Sequence, residues 1–401
     1  MKILLLAGEE SGVIYAERLK ESLKALAGQE IEFAGYDTEG FRTGDLAVMG
    51  FWPVLKRLPY FLRVARTMKG VIERWRPDVV VTIDYPGLNL KLAAFAKARG
   101  IPAVHIVCPQ VWAWHQSRIP RIAASLTKLL CFFPFEPALF EGTGLDAKFI
   151  GHPMADVFAA EEKNSRTAEG TSQRMLAVLP GSRIGEIRRH LPRLLKALEI
   201  LRAKGAAEGL GVVIPAANER ADVEIRRILG AAGEECEVTR GGARDLLRRA
   251  TCAVVASGTA TLEAALARCP TVLVYAVSPL LAWFARRVIT GVRHIGLANV
   301  IWEKSGGEGE APMPELLQED FTPEAVAERL EQWLGSEDAR AAARRRLDGA
   351  MALLQSDGDA LGLAAREILR ARKLVPQGGV PFSLWRPGGT RRVSGSVSVD
   401  T

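Results

Sequence analysis

Short hydrophobic runs alternate with amphipathic helical stretches along most of the chain. The first run, Lys2–Ala7, precedes apolar residues at helical spacing in residues 14–26. Later runs of strand length lie at residues 31–34, 78–83, 103–107, 176–179, 211–215, 253–256 and 271–275. This alternation predicts an α/β protein in which helices cover parallel sheets.

A polar and charged stretch at residues 159–173 interrupts the alternation, which then restarts. We interpret the stretch as a link between two α/β domains that face each other across a cleft. The predicted domains are residues 1–160 and 161–345. Residues 346–373 are expected to form a helical segment that packs back on the first domain, and residues 374–401 a flexible tail.

The run at 176–179 ends in Pro180-Gly181-Ser182-Arg183, and leucines at helical spacing follow. A strand, a tight loop and a helix in this order favour an anion at the helix N-terminus. Arg183 adds donors that suit phosphate oxygens. The loop predicts a diphosphate site, and an ordinary turn with a solvated arginine is the alternative. We expect a short turn through residues 185–190 and then a main helix with Pro192 in its first turn.

A second loop of this kind, Ser257-Gly258-Thr259, precedes a helix that contains Glu263. The two carboxylate oxygens of Glu263 match the two hydroxyls of a ribose. The alternative is that Ser257 or Thr259 caps the helix and that Glu263 simply lies in its first turns. Two such loops in one domain favour a nucleotide as the ligand.

The first half contains a candidate base, Asp84, at the carboxyl end of a Val-rich strand. A partly desolvated carboxylate can accept a proton from a hydroxyl nucleophile, or it can cap the helix that starts near Asn89. Gly8-Glu9-Glu10-Ser11-Gly12 follows the first strand. Small residues there allow a substrate to approach the backbone, and a plain strand-to-helix turn is the alternative.

Two tryptophans, Trp112 and Trp114, share a loop with His115, and His152 precedes the interdomain link. These rings predict a wall that lines a substrate cleft. The alternatives are packing of the loop against its own domain and a satisfied structural role for His152.

Composition narrows the class of protein. The 401 residues are too many for one ordinary core, and a content of 48% hydrophobic and 25% charged residues is typical of soluble globular proteins.

The net charge of +7 favours anionic substrates or an anionic membrane surface over nucleic acid, because no aromatic-basic nucleic-acid motif is visible. Five cysteines without a CxxC pair indicate a reducing compartment and no metal site. Without a signal-peptide core or a run of about 18 apolar residues, a cytoplasmic protein is expected.

Two stretches have the pattern of helices that lie on a lipid surface. In residues 55–72 one face carries Leu58, Phe61, Leu62, Ala65, Met68 and Ile72. The second stretch carries Leu280, Leu281, Trp283 and Phe284 beside Arg286 and Arg287. Core packing produces the same pattern and is the alternative for each helix.

Several motifs follow one another in the order found in one known family. They are Gly8-Glu9-Glu10-Ser11-Gly12, Val48-Met49-Gly50, Ile83-Asp84-Tyr85-Pro86-Gly87-Leu88-Asn89, Pro109-Gln110-Val111-Trp112-Ala113-Trp114, Pro134-Phe135-Glu136, Gly151-His152-Pro153, Leu179-Pro180-Gly181-Ser182-Arg183, Ser257-Gly258-Thr259-Ala260-Thr261-Leu262-Glu263, Asn299 and Pro314-Glu315-Leu316-Leu317-Gln318. From about residue 3 to 320, this set resembles the lipid-A-disaccharide synthase family. That family has the GT-B architecture, in which two Rossmann-like domains face a cleft.

The resemblance implies an inverting, metal-independent glycosyltransferase that uses no cofactor. Its substrates would be UDP-2,3-diacylglucosamine and lipid X (2,3-diacylglucosamine 1-phosphate), and its products the β-1,6-linked lipid A disaccharide 1-phosphate and UDP. The first domain would bind the acceptor and the second the UDP-sugar. Acylated substrates imply a peripheral position on the inner face of the cytoplasmic membrane. The oligomeric state is left open, with a homodimer as one option.

The resemblance also implies roles for individual residues. Asp84 would be the catalytic base. The residues that would hold UDP are Gly181, Ser182, Arg183, Ser257, Gly258, Thr259, Glu263 and Asn299. The residues that would contact the acceptor are Glu9, Ser11, Gly12, Trp112 and His152.

The chain departs from the family pattern at three positions of the acceptor half. Val13 and Tyr15 stand where the family usually has Asp and His, and His115 stands where Arg is usual. Two alternatives therefore accompany the synthase: a UDP-sugar 2-epimerase of the same two-domain build, and a catalytically silent protein that binds UDP-sugar.

Overall fold

The computed structural model describes residues 1–41, 57–164, 174–234, 236–288 and 291–373. Within these residues the backbone forms two parallel sheets of six strands each. The motif Val48-Met49-Gly50 and the predicted tail at 374–401 lie outside these residues.

The first sheet contains β1 (Lys2–Ala7), β2 (Glu32–Ala34), β3 (Val79–Ile83), β4 (Ala103–Ile106), β5 (Lys128–Cys131) and β6 (Asp146–Phe149). Its strand order is β2-β1-β3-β4-β5-β6. Its helices are α1 (Glu10–Ala27), α2 (Leu58–Trp75), α3 (Pro86–Lys97), α4 (Ile119–Ser125) and α5 (Pro153–Asn164). Helix α1 covers one face of the sheet, and α2 and α3 cover the other, so β3 is buried on both sides. Burial on both sides explains why this strand is apolar except for Thr82.

The second sheet contains β7 (Met175–Leu179), β8 (Gly211–Ala216), β9 (Glu237–Arg240), β10 (Cys252–Ala256), β11 (Thr271–Tyr275) and β12 (Glu315–Leu317). Its strand order is β12-β11-β10-β7-β8-β9. The helices of this half are α6 (Ile184–Ala203), α7 (Glu219–Ala232), α8 (Ala243–Arg249), α9 (Thr259–Leu266), α10 (Pro279–Val288), α11 (Leu297–Lys304), α12 (Pro323–Gly335) and α13 (Glu337–Ala352). Two buried clusters sandwich the sheet.

Each sheet has a point where the strand order reverses, and ligands of open α/β sheets bind beyond the carboxyl ends of strands at such points. In the first sheet the point lies between β1 and β3, which end at Ala7 and Ile83. In the second it lies between β7 and β10, which end at Leu179 and Ala256. The fold therefore gives each half one crevice.

The last helix, α14 (Ala360–Lys373), returns to the first half and packs against α1. Its buried Glu367 accepts hydrogen bonds from Lys128 Nζ at 2.5 Å and from Lys148 Nζ at 2.8 Å. Helix α5 belongs by sequence to the first half, yet its Ala155 lies in a core cluster of the second half. Helix α5 of the first half thus packs on the second half, and helix α14, which follows the second half, packs on the first.

The two helix-covered parallel sheets confirm the predicted α/β class, while the domain boundaries remain a prediction. The predicted link at 159–173 begins within a helix, because α5 extends to Asn164, and the rest of it lies outside the described residues. One local expectation, a turn before the main helix of the second half, is wrong. Helix α6 begins at Ile184 and holds Pro192 in its interior, because Glu186 caps the helix start by accepting from the Arg183 N–H.

Candidate active site

Asp84 directly follows β3 and is held in an uncommon backbone conformation. Asp84 and Tyr85 have φ angles of 50° and 51°, in the left-handed region that side chains other than glycine rarely occupy. The amide of buried Asn89 donates to the carbonyl oxygens of Asp84 at 2.8 Å and of Ile83 and Leu6 at 3.2 Å each. Asn89 therefore ties the ends of β1 and β3 together and fixes the backbone that carries Asp84.

The alternative role for Asp84 was to cap a helix near Asn89. That helix, α3, begins earlier, at Pro86, and its N-cap residue Tyr85 makes no side-chain cap bond. Asp84 Oδ1 accepts only the adjacent Tyr85 N–H at 2.7 Å among the hydrogen bonds of the described residues. The half-buried carboxylate keeps acceptor capacity for a further proton donor.

Two carboxylates meet at the crevice of the first sheet. Burial raises the pKa of Asp84, although the Tyr85 N–H bond opposes the rise. Burial and the charge of Asp84 raise the pKa of Glu9. A raised pKa makes Asp84 a stronger base than a solvated aspartate once it is ionised, which suits proton abstraction.

Close packing surrounds the Gly8–Gly12 motif. A Cβ added at Gly8 would lie 2.5 Å from Tyr85 Cβ, so only glycine allows β1 and β3 to end this close together. Gly12 is buried, and a Cβ added there would meet Ala7 and Ile83 at ordinary contact distance. The backbone at Ser11 lies in the first turns of α1, whereas its side chain lies outside the described atoms.

In the second half, the loop at residues 180–183 joins β7 to α6. Gly181 has a φ of 119°, and a Cβ there would lie 2.7 Å from Glu186 Cβ, so the turn requires glycine. Ser182 and Arg183 are exposed. Arg183 Nη1 donates to Glu186 Oε1 at 2.8 Å, which fixes the guanidinium beside the N-terminus of α6. The loop thus exposes N–H groups, a hydroxyl and a cation at one point.

His190 connects this loop to the chain that follows β11. Its fully buried ring places Nδ1 2.8 Å from the Pro180 carbonyl oxygen, and Nε2 3.1 Å from both the nitrogen and the carbonyl oxygen of Ala276. Because the Pro180 carbonyl only accepts, Nδ1 carries a ring proton, and in the neutral ring Nε2 accepts the Ala276 N–H. Burial lowers the pKa of His190 and so favours this neutral form. Sequence analysis had placed His190 in a turn and gave it no role.

The loop at 257–259 lies at the end of β10, beside the 180–183 loop. Gly258 precedes α9 with a φ of 150° and no side-chain cap bond, so neither Ser257 nor Thr259 caps the helix. Glu263 is partly buried, and burial raises its pKa. Its Oε1 lies 3.7 Å from Arg244 Nη2.

Asn299 has a different position from the other predicted UDP residues. It is fully buried, and its Nδ2 donates to the Met313 carbonyl and to Glu315 Oε1, both at 2.8 Å. Its Oδ1 accepts the Met313 N–H at 2.9 Å. Glu315 also accepts the N–H groups of Ile295 and Gly296. Asn299 and Glu315 therefore shape the backbone between α10 and α11, and Asn299 has no exposed atoms for direct contact with a ligand.

The tryptophan loop, residues 109–115, carries one buried and one exposed tryptophan ring. Trp112 is buried, and its Nε1 donates to Glu136 Oε1 at 3.1 Å. Trp114 is exposed beside His115. The Ala113 carbonyl accepts the N–H of Gly291 at 3.1 Å, so this loop contacts the second half directly.

His152 is buried, with its ring stacked on Phe133 at 5.9 Å between centroids. Its Nδ1 accepts the Met154 N–H at 3.1 Å. Burial lowers its pKa to about 4, so the ring is neutral at pH 7. These contacts fit the structural alternative for this residue.

Three buried side chains in the described part of the chain bring potential metal-ligand atoms within 4.8 Å of one another: Cys108, Cys131 and Glu136. Cysteine spacing does not show this group, because Cys108 follows β4 whereas Cys131 ends β5. Burial raises the pKa of Glu136 to about 8. Its oxygens already accept N–H bonds from Trp112 and Phe133, which favours a role in holding the tryptophan loop.

Two apolar helices differ in exposure. On α2, Met68 and Ile72 are buried in the core, whereas Leu58 and Leu62 are exposed. On α10, the apolar side chains Leu280, Leu281, Trp283 and Phe284 are all exposed. Core packing thus accounts for much of α2, while the core alternative for these residues of α10 is wrong. None of the helices in the described part of the chain combines the length and apolar character that a bilayer span needs.

Comparisons with known proteins agree over most of the chain. A family model described as lipid-A-disaccharide synthetase matches residues 3–358. The chain is 37% identical over 396 residues to a lipid-A-disaccharide synthase of Chromohalobacter salexigens, with 95% of this chain and 99% of that protein covered. It is 35% identical over 391 residues to one of Xanthomonas campestris pv. campestris, with 93% and 87% covered.

Solved structures share the fold at low sequence identity. The UDP-GlcNAc 2-epimerase from Neisseria meningitidis bound to UDP-GlcNAc has a TM-score of 0.61 at 12% identity, with 92% of this chain and 100% of that chain covered. The calicheamicin glycosyltransferase CalG4 has a TM-score of 0.53 at 16% identity, with 94% and 99% covered. Both likenesses concern the two-domain fold, and they confirm the GT-B architecture.

Proposed function

Because the chain belongs to the lipid-A-disaccharide synthase family, we propose that it transfers 2,3-diacylglucosamine from UDP-2,3-diacylglucosamine to the 6-hydroxyl of lipid X. The products are the β-1,6-linked disaccharide 1-phosphate and UDP. The observation that carries the proposed mechanism is the pair of strand-order reversals, one with Asp84 and one with the 180–183 and 257–259 loops.

Asp84 acts as the general base in this proposal. Its carboxylate accepts the proton of the acceptor 6-hydroxyl while that oxygen bonds to C1 of the donor sugar. The bond between C1 and the diphosphate oxygen breaks, and its electron pair leaves with UDP. Attack opposite the leaving group inverts C1. Glu9, beside Asp84, and the small residues Ser11 and Gly12 border the space for the acceptor.

The leaving diphosphate gains negative charge as the bond breaks. The N–H groups of Gly181 and Ser182, the N-terminus of α6 and the Arg183 guanidinium are preorganised donors for that charge. Ser257, Gly258 and Thr259 add a second set of donors at the neighbouring strand. Glu263 accepts hydrogen bonds from the ribose hydroxyls, with Arg244 holding its carboxylate. Asn299 contributes by positioning backbone through Met313 and Glu315. No metal is needed for any of these steps.

The test gives purified protein both substrates and measures UDP and disaccharide by mass spectrometry. The key variant is Asp84→Asn, which keeps shape and removes the basic oxygen. The matched control is Asp78→Asn, because Asp78 lies at the opposite end of the same strand and accepts the Lys2 N–H at 2.7 Å. We expect a loss of about 100-fold or more in kcat for Asp84→Asn and a near-normal kcat for Asp78→Asn. Retention of most of the wild-type rate by Asp84→Asn contradicts the base assignment.

A UDP-sugar 2-epimerase is the second candidate, favoured by the fold likeness to the Neisseria enzyme. Incubation with UDP-GlcNAc alone separates the two functions. The synthase leaves this nucleotide sugar unchanged, whereas an epimerase produces a second UDP-sugar. A silent homologue would bind UDP and form neither product.

Membrane contact completes the proposal, because both substrates carry acyl chains. The exposed side chains of α10, together with Leu58 and Leu62 of α2, are apolar surfaces that a lipid headgroup region would cover. We place the protein on the inner face of the cytoplasmic membrane and leave its oligomeric state, including a homodimer, to measurement.

A further inference from the structure

A cavity of about 600 Å³ lies at the carboxyl ends of β11 and β12, between α6 and α10. Three arginines line it: Arg189 and Arg193 from α6 and Arg287 from α10. Its apolar wall includes Val277 and Trp283. None of its lining residues belongs to the 180–183 or 257–259 loops, so the cavity is separate from the loops assigned to UDP.

The arginines of this cavity differ from many others of the second half in their ion pairing. Many arginines of the second half form ion pairs, for example Arg188 with Glu224 and Arg268 with Asp348. Within the described residues, the three cavity arginines form no ion pair. One carboxylate, Glu319, also lines the cavity. Three guanidinium groups around one space create a positive potential that favours an anionic occupant.

Aromatic rings hold two of the guanidinium groups in place. Arg287 lies 4.2 Å from the ring centroid of Trp283, and Arg193 lies 5.2 Å from that of Phe321. Stacking limits the motion of an arginine side chain and leaves its in-plane N–H groups available for oxygen ligands. The cations are therefore preorganised for a group such as phosphate.

An apolar surface borders the cavity on its outer side. Leu280, Leu281, Trp283 and Phe284 of α10 are 77%, 52%, 53% and 56% exposed. A soluble nucleotide has no alkyl chains that could cover this apolar surface. A ligand with a phosphate and adjoining alkyl chains matches both the cations and the exposed apolar side chains.

We propose that this cavity binds the phosphate headgroup of an acidic glycerophospholipid while the apolar side chains of α10 enter the acyl region of the same leaflet. The inference deepens the proposed function and rests on it for the presence of a membrane. It assigns the second half its own lipid contact, formed by Arg189, Arg193 and Arg287 around the cavity. Trp283 would lie at the level of the headgroups, where tryptophan is favoured.

The test is sedimentation of the full chain with vesicles of phosphatidylcholine alone or with about one third phosphatidylglycerol. The cavity variant is Arg193→Gln combined with Arg287→Gln. The matched control is Arg220→Gln combined with Arg345→Gln, because it removes the same charge from two exposed arginines outside the cavity. We expect the cavity variant to lose about tenfold or more of its affinity for the acidic vesicles and the control less than about twofold. Leu280→Ser with Phe284→Ser should weaken binding to both kinds of vesicle.

Equal losses in the cavity variant and the control would show a diffuse surface charge and overturn the proposal. A cavity variant that binds vesicles normally but binds UDP less tightly would assign the cavity to the nucleotide site instead. Transfer activity in detergent micelles, measured on the same variants, separates this inference from the proposed function. If the cavity variant keeps normal transfer and loses vesicle binding, the result supports the lipid site. If the unmodified protein shows no transfer, the proposed function is contradicted, and the vesicle binding of the variants alone decides the lipid site. A loss caused by unfolding is recognised by circular dichroism, and the single variant Arg287→Glu then repeats the test at an exposed arginine of the cavity.

Discussion

Replacement of His190 by leucine tests whether nucleotide binding depends on the position of the 180–183 loop. In its neutral form the histidine donates to the Pro180 carbonyl and accepts from the Ala276 N–H. Leucine fills similar space and makes neither bond. Both backbone groups would then lie in the interior without this partner.

The size of the effect follows from those two groups. A buried polar group that loses its partner costs about 1–3 kcal/mol, so the loss of both partners should lower the free energy of unfolding by about 2–6 kcal/mol. Pro180 directly precedes Gly181, so relaxation around its carbonyl moves the donors proposed for the diphosphate. We expect the Kd for UDP to rise about tenfold, which corresponds to about 1.4 kcal/mol.

The assay is calorimetric titration of UDP into folded protein, with chemical denaturation to measure stability. His105→Leu is the matched control, because His105 is also fully buried and lies 2.7 Å from Thr82 Oγ1, but in the first sheet. We expect that control to lose stability and to keep its Kd for UDP within about twofold. His190→Gln, which retains a donor for Pro180, should recover part of the affinity.

The outcome that refutes the reasoning is a His190→Leu protein that is less stable and yet binds UDP as tightly as the unmodified chain. In that case His190 only supports the core. An equal loss of UDP affinity in His105→Leu would also contradict it, because general loosening would then explain both results.

Three further outcomes follow from the described contacts. Gly181→Ala should raise the KM for the donor about tenfold or more, because its φ and the approach of Glu186 exclude a Cβ; initial rates at varied donor concentration measure this, and an unchanged KM contradicts it. Glu367→Gln should lower the free energy of unfolding by about 2–3 kcal/mol at pH 7, because buried Lys128 loses a charged partner. The pKa of Glu367 is lowered to about 2, so its contribution is present above pH 4.5 and is lost as pH falls toward 2; denaturation of both proteins across that range should show the difference shrinking. The pH profile of kcat/KM should lose activity on the acid side at a pH above 3.8, the ordinary pKa of aspartate, because burial raises the pKa of Asp84; an acid limb at or below 3.8 contradicts the assignment.

Strands with a run of four or more apolar residues, such as β1 and β11, could be predicted from the sequence, whereas β5, β6 and β9 could not. β1 and β11 lie where the pattern placed them. The strands β6 and β9, Asp146–Phe149 and Glu237–Arg240, lie at sheet edges and carry charges that hide the pattern. β5 lies inside the sheet but begins with Lys128. That lysine is tolerated because Glu367, 239 residues later, neutralises it, and no local pattern contains this information.

Part of the candidate site could likewise be predicted from the sequence, and part could not. The 180–183 and 257–259 loops could be predicted, because a strand followed by a small-residue loop and a helix is a local signal. The supports of the site could not, because Asn89, Glu136 and His190 act on backbone or rings that are remote in sequence or carry no distinctive pattern. Glu136 and Asn89 do lie in motifs shared with the family, which was the only available signal for them.

Of the departures from the family pattern, the one at Tyr15 bears most directly on the proposed active site. Val13 packs against the apolar core of the first half, so its effect is on packing. The ring of Tyr15 packs edge-on against Phe132 at 5.6 Å, while its hydroxyl is subject to charges from both halves: Asp84 in the first, Glu263 and Arg244 in the second. Burial and the two carboxylates raise the pKa of this hydroxyl, so it stays protonated and remains a hydrogen-bond donor at neutral pH. A neutral donor between the proposed base and the proposed nucleotide site is compatible with transfer, because it can bind a sugar oxygen without competing with Asp84 for the proton. We therefore expect this departure from the family pattern to leave a hydrogen-bond donor where the two proposed sites meet.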